Sequence, residues 1–301
     1  MKVALTGASG FLGPRLVQGL LEAGHTVHVL VRNVEQALER LPKGVTGAAF
    51  RAGEPLPPES LAGAQAVIHL AGEPINQRWN HDAKRRIRDS RVQGTRALVD
   101  AMQGAGTVQR FVSTSAVGYY GGTHGAEVLT EENSPGKDFL AGVCQEWEAE
   151  ALRAREAGIR TAVARMGVIL HPEGGALHTM LPPFRMGAGG RIGSGKQYVS
   201  WIHREDAVAA LRFLLEHPEL EGPFNVTSPE PLSNAEFAHT LGTVLGRPSV
   251  MHIPGFVVKA AMGEMAMVAL EGQRVLPKRL TESGFTFHFP QLEPALRQLL
   301  A

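Results

Sequence analysis

The stretch Val3-Ala4-Leu5-Thr6-Gly7-Ala8-Ser9-Gly10-Phe11-Leu12-Gly13 decides the fold. Three apolar residues make a short buried strand, and after the glycines Leu12, Leu16, Leu20 and Ala23 recur at the spacing of one helix face. Gly24 then stands where a helix C-terminal cap belongs. In such a strand–turn–helix the first glycine permits the tight turn, the second lets backbone approach a ligand, and the third lets helix pack against strand. The free N–H groups and dipole of the helix N-terminus attract a pyrophosphate. The spacing is G-x-x-G-x-x-G, so its setting between strand and helix carries the reading more than the glycines alone. It predicts a dinucleotide cradled by Gly7, Ser9, Gly10, Phe11, Leu12 and Gly13.

Working outward, short apolar or β-branched runs at 2–6, 26–32, 47–51, 66–70, 110–113 and 160–164 alternate with helical patterns, which predicts βαβ units and a parallel sheet. Long helices are expected over 82–103 and 138–156. From about Arg165 the texture changes: Gly174-Gly175, Pro182-Pro183, Gly187–Gly190 and Gly193–Gly195 mark irregular loops that should cover something. Helices at 204–217 and 234–246, a strand at 224–226 and a helical segment at 256–270 follow. The expected class is α/β, a Rossmann-type doubly wound parallel sheet with a smaller C-terminal substrate lobe. Residues 1–165 would form mainly the nucleotide-binding domain, joined by later segments, and 166–301 mainly the substrate lobe.

At 301 residues, 44% hydrophobic and 20% charged, the chain can bury a large core. Its 30 Lys and Arg balance 29 Asp and Glu, so no one-signed field drives binding to nucleic acid or an anionic membrane. The run Lys84-Arg85-Arg86-Ile87-Arg88 is a solvated helix face on this reading. A single cysteine, Cys144, excludes an internal disulfide and a cysteine-cluster metal site, and no His pair has ligand spacing. No stretch is long and apolar enough for a membrane span and none resembles a secretory signal, so a cytoplasmic location is expected.

The second strand of such a fold ends near the adenosine ribose, where a carboxylate would favour NAD. This sequence has Arg32 there, in Val29-Leu30-Val31-Arg32-Asn33, with no acidic residue before Glu35. A guanidinium pairs with a 2′-phosphate as a bidentate donor, so Arg32 argues for NADP(H) over NAD(H). An exposed arginine with no such role is the alternative.

With these stations in place, the chain resembles the extended short-chain dehydrogenase/reductases, the group that includes nucleotide-sugar epimerases and dehydratases. Ala66-Val67-Ile68-His69-Leu70-Ala71-Gly72 resembles the family's fourth strand and its cofactor-lining turn, and Arg110-Phe111-Val112-Ser113-Thr114-Ser115 the strand that delivers the active-site serine. Trp201-Ile202-His203-Arg204-Glu205-Asp206 resembles the segment that opens a substrate-domain helix. The stretches 69–74, 78–79, 90–95, 115–121, 144–148 and 277–287 resemble one branch of "epimerase family" proteins with a C-terminal extension of unknown function from about Val250. Family membership implies a Tyr-x-x-x-Lys pair on the helix after the fifth strand, the Tyr moving a proton and the Lys lowering its pKa and holding the nicotinamide ribose. With Glu148 in the family's following acidic position, Leu140 stands for the Tyr and Cys144 for the Lys, and neither can do that work.

The resemblance implies a cofactor lined by Leu70, Ala71, Gly72, Ser113 and Arg165. Arg91 either contacts phosphate or ribose or makes a surface ion pair. Ser115 either bonds a substrate oxygen or local backbone; Tyr119 and Tyr120 either supply the missing phenol or pack over their loop. Trp201 walls the substrate pocket, and His203 is either a pocket donor or a satisfied buried histidine. Glu131-Glu132 resembles a loop near the substrate but suits a solvated pair. The function implied is an NADP(H)-dependent oxidoreductase or epimerase-like enzyme acting on a small polar carbonyl or hydroxyl compound, a nucleotide sugar being the family-level option, or a non-catalytic NADP(H)-binding sensor or scaffold, with a homodimer left open.

Overall fold

The computed structural model describes residues 1–122 and 124–301. In β1 (Lys2–Thr6) Val3 and Leu5 bury against one core cluster and Ala4 against another, so the strand is apolar on both sides. That two-sided burial belongs to a parallel sheet covered on both faces. Six more strands complete it: β2 (Thr26–Val31), β3 (Thr46–Ala49), β4 (Ala66–His69), β5 (Arg110–Ala116), β6 (Arg160–Met166) and β7 (Gly222–Val226). Every pairing is parallel, in the order β7-β6-β5-β4-β1-β2-β3. The fold is a Rossmann-type doubly wound α/β sheet, and its order reverses between β1 and β4, where such sheets open a ligand crevice.

Helix α1 (Gly13–Glu22) buries Leu16, Val17 and Leu20 on one face of the sheet. Asn33 caps α2 (Val34–Arg40), accepting from Gln36 N at 3.1 Å. On the opposite face α3 (His81–Ala105) buries Leu98, Val99 and Met102 against Val67 and Phe111, and α4 (Phe139–Leu152) packs beside it. The predicted helix at 138–156 ends early, its last turn tightening to a 3₁₀ helix at Arg153–Ala157 before Gly158.

The expected irregular loop at 174–183 is instead a helix, α5 (Gly175–Arg185), with Pro182 and Pro183 inside it. Leu177, Leu181 and Phe184 recur every three to four residues and are buried, and that packing outweighs the loss of two N–H donors near the helix end. These side chains share a second core with Trp201 and with Phe237 and Leu241 of α7 (Asn234–Leu245), which follows α6 (Arg204–Glu216). The helical segment expected over 256–270 breaks into α8 (Gly255–Met262), a 3₁₀ turn (Gly263–Ala266) and α9 (Met267–Leu270), because Gly263 takes a positive φ of 62°.

The last thirty residues thread back through the molecule. Arg274–Val275 pairs in parallel with Val128–Leu129. Ser200 Oγ donates to Gln273 O at 2.6 Å and accepts from Val275 N at 2.9 Å. After α10 (Lys278–Glu282), buried Asp206 accepts from His288 N at 2.8 Å and Phe289 N at 2.9 Å. The chain ends in α11 (Leu292–Leu300), whose Leu292 and Leu296 join the second core.

Candidate functional site

At the glycine turn each glycine has a different physical duty. Gly7 sits at φ 71°, and a Cβ there would press on Ala71 N and Leu70 C at 3.0 Å. Gly10 N donates to Gly7 O at 3.0 Å, and a Cβ on Gly10 would meet only that oxygen, so its other side is open. At Gly13 a Cβ would lie 2.4 Å from Ala8 C, Ala8 O and Gly7 O, which leaves no room for any side chain. Leu12, the N-cap of α1, makes no side-chain bond, and the first turn carries no acidic residue, so the helix terminus stays free for an anion. Ser9 and Gly10 are exposed, while Phe11 leans on Gly174 and meets His171 edge-on at 6.1 Å, tying the turn to the 171–175 loop.

The end of β4 is locked to that turn. Thr6 Oγ1 accepts from Leu70 N at 3.1 Å and Ala71 N at 3.2 Å, so its own proton goes to His69 Nδ1 at 2.6 Å. His69 is then the Nε2–H tautomer, donating to Thr95 Oγ1 at 3.0 Å. Complete burial, helped by the Arg91 charge, pulls His69 down to about 3 from 6.5, so it is neutral. The unfolded chain takes up a proton below pH 6.5 that the folded chain refuses, so this group's stability contribution is full above 6.5 and is lost as pH falls toward 3. The slope approaches about 1.4 kcal/mol per pH unit. Urea midpoints from pH 7 to 4 should fall more steeply for wild type than for His69→Gln, and equal slopes would contradict the neutral state of folded His69.

At the end of β5 the serine hydroxyl is committed. Ser115 Oγ donates to Glu148 Oε1 at 2.7 Å. Arg165 closes on the same carboxylate, Nε to Oε1 at 2.9 Å and Nη2 to Oε2 at 2.8 Å. Its Nη1 donates to Tyr120 Oη at 2.9 Å, and Tyr120 donates onward to Asn225 Oδ1 at 2.7 Å. The Tyr119 ring lies against the guanidinium, its centroid 3.4 Å from Cζ. Burial opposes the charge on Arg165, but the bonds to Glu148 more than offset it and raise its pKa. Asn225 Nδ2 donates to Leu276 O at 3.0 Å, carrying the network into the C-terminal segment.

The expected phenol pair therefore splits. Burial pushes Tyr120 up to about 12, and both faces of its hydroxyl are engaged, so it is a structural link. Tyr119 is half-buried, with its ring on Arg165. Arg165, expected to line the cofactor, is nearly inaccessible and is held by Glu148 and the two tyrosines, with its Nε, Nη1 and Nη2 all bonded within the protein. Leu140 and Cys144 face the Val117–Tyr120 turn, within 3.5 and 4.0 Å of a Cβ placed on Gly118. Burial and then Glu148 push the Cys144 thiol up to about 12, so it stays protonated.

Other expected residues scatter. Ser113 is fully buried and donates to Thr114 O at 3.3 Å. Trp201 is fully buried, its Nε1 on Glu230 O at 2.9 Å, so it walls the second core and not a pocket. His203 caps α6 through Glu205 N, stacks on Phe289 at 3.9 Å and meets Gln298 Oε1 at 2.9 Å, all docking contacts. Glu131 is buried and accepts from Asn225 N at 2.9 Å, while Glu132 pairs with Lys278 at 2.7 Å. Asn225 and Asp138, which caps α4 and accepts from Gly122 N at 3.2 Å, were invisible as site residues because their partners are distant in sequence.

An open cleft of about 960 Å³ lies between the Gly193–Ser194 turn and the segments around α8 and α9, lined by Arg191, His252, Phe256, Lys259 and Glu271 among others. A Cβ on Gly122 would collide with Glu271 Oε2, so this cleft abuts the loop after Tyr120. Among the described residues no group of three or more His, Cys, Asp or Glu could hold a metal ion, and no helix is long and apolar enough to cross a membrane.

Known proteins share this architecture. The pattern of the NAD dependent epimerase/dehydratase family matches residues 3–227, and that of a domain of unknown function, DUF1731, matches 253–299. The chain is 42% identical to the chloroplastic epimerase family protein SDR39U1 homolog of Arabidopsis thaliana, over 100% of this chain and 87% of that one. It is 39% identical to epimerase family protein YfhF of Bacillus subtilis, covering 100% and 98%. The crystal structure of human epimerase family protein SDR39U1 with NADPH superposes with a TM-score of 0.86 at 34% identity, over 99% of both chains. By sequence and by fold, this chain belongs to the NAD dependent epimerase/dehydratase family.

Proposed function

We propose that the chain is an NADP(H)-dependent oxidoreductase or epimerase-like enzyme acting on a small polar hydroxyl or carbonyl compound. The observation that carries the reading is the open glycine turn beside an uncommitted Arg32. Arg32 is exposed at the end of β2 and, among the described residues, its side chain makes no hydrogen bond or ion pair. It stands one strand from the pyrophosphate cradle, where an adenosine 2′-phosphate would lie. The NADPH in the human relative's structure supports the same choice. Titration should show tighter binding of NADPH than of NADH. Arg32→Ala should cut that preference about 10- to 100-fold, the worth of a lost charge-assisted pair. An unchanged ratio would sink the proposal.

When bound, the nicotinamide would exchange hydride with substrate carbon. The chain's own part is orientation. Ser115, at the carboxyl end of β5, donates its hydroxyl hydrogen bond to Glu148, so its lone pairs would accept from a substrate hydroxyl. Tyr119 or a water would take the proton. The 960 Å³ cleft would hold the rest of the substrate. The lone free thiol is compatible with a reducing compartment such as the cytoplasm.

A second reading, a non-catalytic NADP(H) sensor, is favoured by Leu140 and the protonated Cys144, which leave the usual acid–base positions empty of chemistry. Incubation with NADPH and a carbonyl panel separates the two. Turnover abolished by Ser115→Ala means an enzyme, and tight binding without turnover means a sensor.

A further inference from the structure

The open cleft beside the Tyr120 loop has two unlike walls, and together they describe a ligand. One wall is the turn that follows the short strand Gly190–Ile192. That strand pairs in parallel with Met251–Ile253, Gly193 N donates to Ile253 O at 2.8 Å, and His252 Nε2 donates to Gly193 O at 2.9 Å. Asn234 Oδ1 accepts from Ile192 N at 2.7 Å. Gln197 Nε2 bridges Ile192 O at 3.0 Å and Ala269 O at 2.9 Å, which fixes the turn against α9. The cleft is thus shaped before anything enters it. Its other wall is apolar. Residues 255–270 hold only two charges, Lys259 and Glu264, yet of α8, the 3₁₀ turn and α9 only Val258 and Ala266 are buried. Phe256, Met267 and Leu270 line the cleft, and Phe256 is 74% exposed. An aromatic ring left in water at the edge of a preset cleft is surface that the apolar body of a ligand would cover.

The charges say what else the ligand carries. Arg191 and Lys259 line the cleft, are exposed and, among the described residues, make no side-chain hydrogen bond or ion pair. Of the two lining carboxylates, Glu264 is paired with Lys84, and Glu271 lies against Gly122 at the end toward the Tyr120 loop. Two uncommitted cations therefore share the cleft with one uncommitted carboxylate, which leaves a single positive charge in excess. That excess matches a ligand with one negative charge better than the two of a sugar nucleotide's diphosphate. We infer that the cleft binds an organic acid with an apolar body, an aryl or medium-chain carboxylate, whose charge is met by Arg191 and Lys259 and whose body lies on Phe256, Met267 and Leu270. The inference rests on the function proposed above, because the reacting hydroxyl or carbonyl is the other end of the same molecule.

Isothermal titration with four probes tests it, each with and without saturating NADPH: 3-(4-hydroxyphenyl)propionate, 8-hydroxyoctanoate, the uncharged 1,8-octanediol, and UDP-glucose. The wild-type protein should bind both acids more tightly than the diol and more tightly than UDP-glucose. Arg191→Gln combined with Lys259→Gln should weaken the acids about tenfold, the worth of two exposed ion pairs, and leave the diol within about twofold. Phe256→Ser should weaken 8-hydroxyoctanoate and the diol alike, about 3- to 10-fold. Lys196→Gln removes an exposed cation that does not line the cleft and should leave every affinity within about twofold. All four side chains are exposed, so each variant should keep the wild-type melting temperature. Acids that bind no better than the diol, or that bind the double variant as they bind wild type, overturn the inference. UDP-glucose bound more tightly than either acid also overturns it, and leaves the proposed NADP(H) function standing. Wild-type protein that takes the acids but not NADPH overturns the proposed function instead.

Discussion

Replacing Gly13 with valine is expected to abolish NADPH binding and to lower stability by about 2–3 kcal/mol, the usual cost of forcing bulk into a packed site. A Cβ at this position lies 2.4 Å from three backbone atoms of Gly7 and Ala8, and backbone cannot step aside as a flexible side chain can. The turn must open, and the N–H groups that point at the pyrophosphate lose their common focus. Gly10→Ala is the informative contrast. Its Cβ meets only Gly7 O at 3.2 Å, so the fold should keep its melting temperature while the methyl group occupies the ligand's side. Melting curves with and without saturating NADPH separate the two. Gly13→Val should melt early and gain nothing from NADPH, and Gly10→Ala should melt normally and gain little. A Gly13→Val protein with wild-type affinity would mean that the dinucleotide lies elsewhere.

Glu148→Ala should be the most damaging single change away from that turn. The Glu148 and Arg165 side chains are both nearly inaccessible, and removing the carboxylate leaves a guanidinium buried among two tyrosines. Breaking a buried pair from one side costs about 3–5 kcal/mol, which corresponds to a fall in Tm of roughly 5–10 °C in a chain of this size. Removing both charges, as in Glu148→Leu with Arg165→Met, should restore much of the loss, because apolar groups satisfy the site that an unpaired charge cannot. A guanidinium chloride double-mutant cycle measures the coupling. A coupling below about 0.5 kcal/mol would show that the pair is not the keystone of the network.

The parts of the fold governed by local pattern were legible in the sequence. The starts of β1, β2, β4, β5 and β6 and the cores of α3, α6 and α7 follow from hydrophobic period, N-caps and glycine stops. β5 runs to Ala116 although the pattern breaks at Thr114 and Ser115, because those hydroxyls are satisfied across the chain by His69 O and Glu148. α5 was hidden by its double proline, and the Gly263 break by an otherwise uniform apolar run. The site divides in the same way. Glycine duties are written in a dozen consecutive residues, but Arg165 resembled a cofactor ligand only while its partners Glu148 and Tyr120, 17 and 45 residues away, were unseen. Trp201 and His203 sat in a family-like segment, yet Phe289 and Gln298 of the tail claim or cover His203, and the second core encloses Trp201.

The threading of the C-terminal segment through the body has a consequence for how the protein is made. Leu276 closes the polar chain that begins at Ser115, and Leu292 and Leu296 complete the core around Trp201. During synthesis these residues emerge after everything they pack on, so the second lobe stays open and its apolar face exposed until they have appeared. Chains released by a stop codon before Leu276 should therefore be cleared by proteolysis, even though every residue of the glycine turn is present.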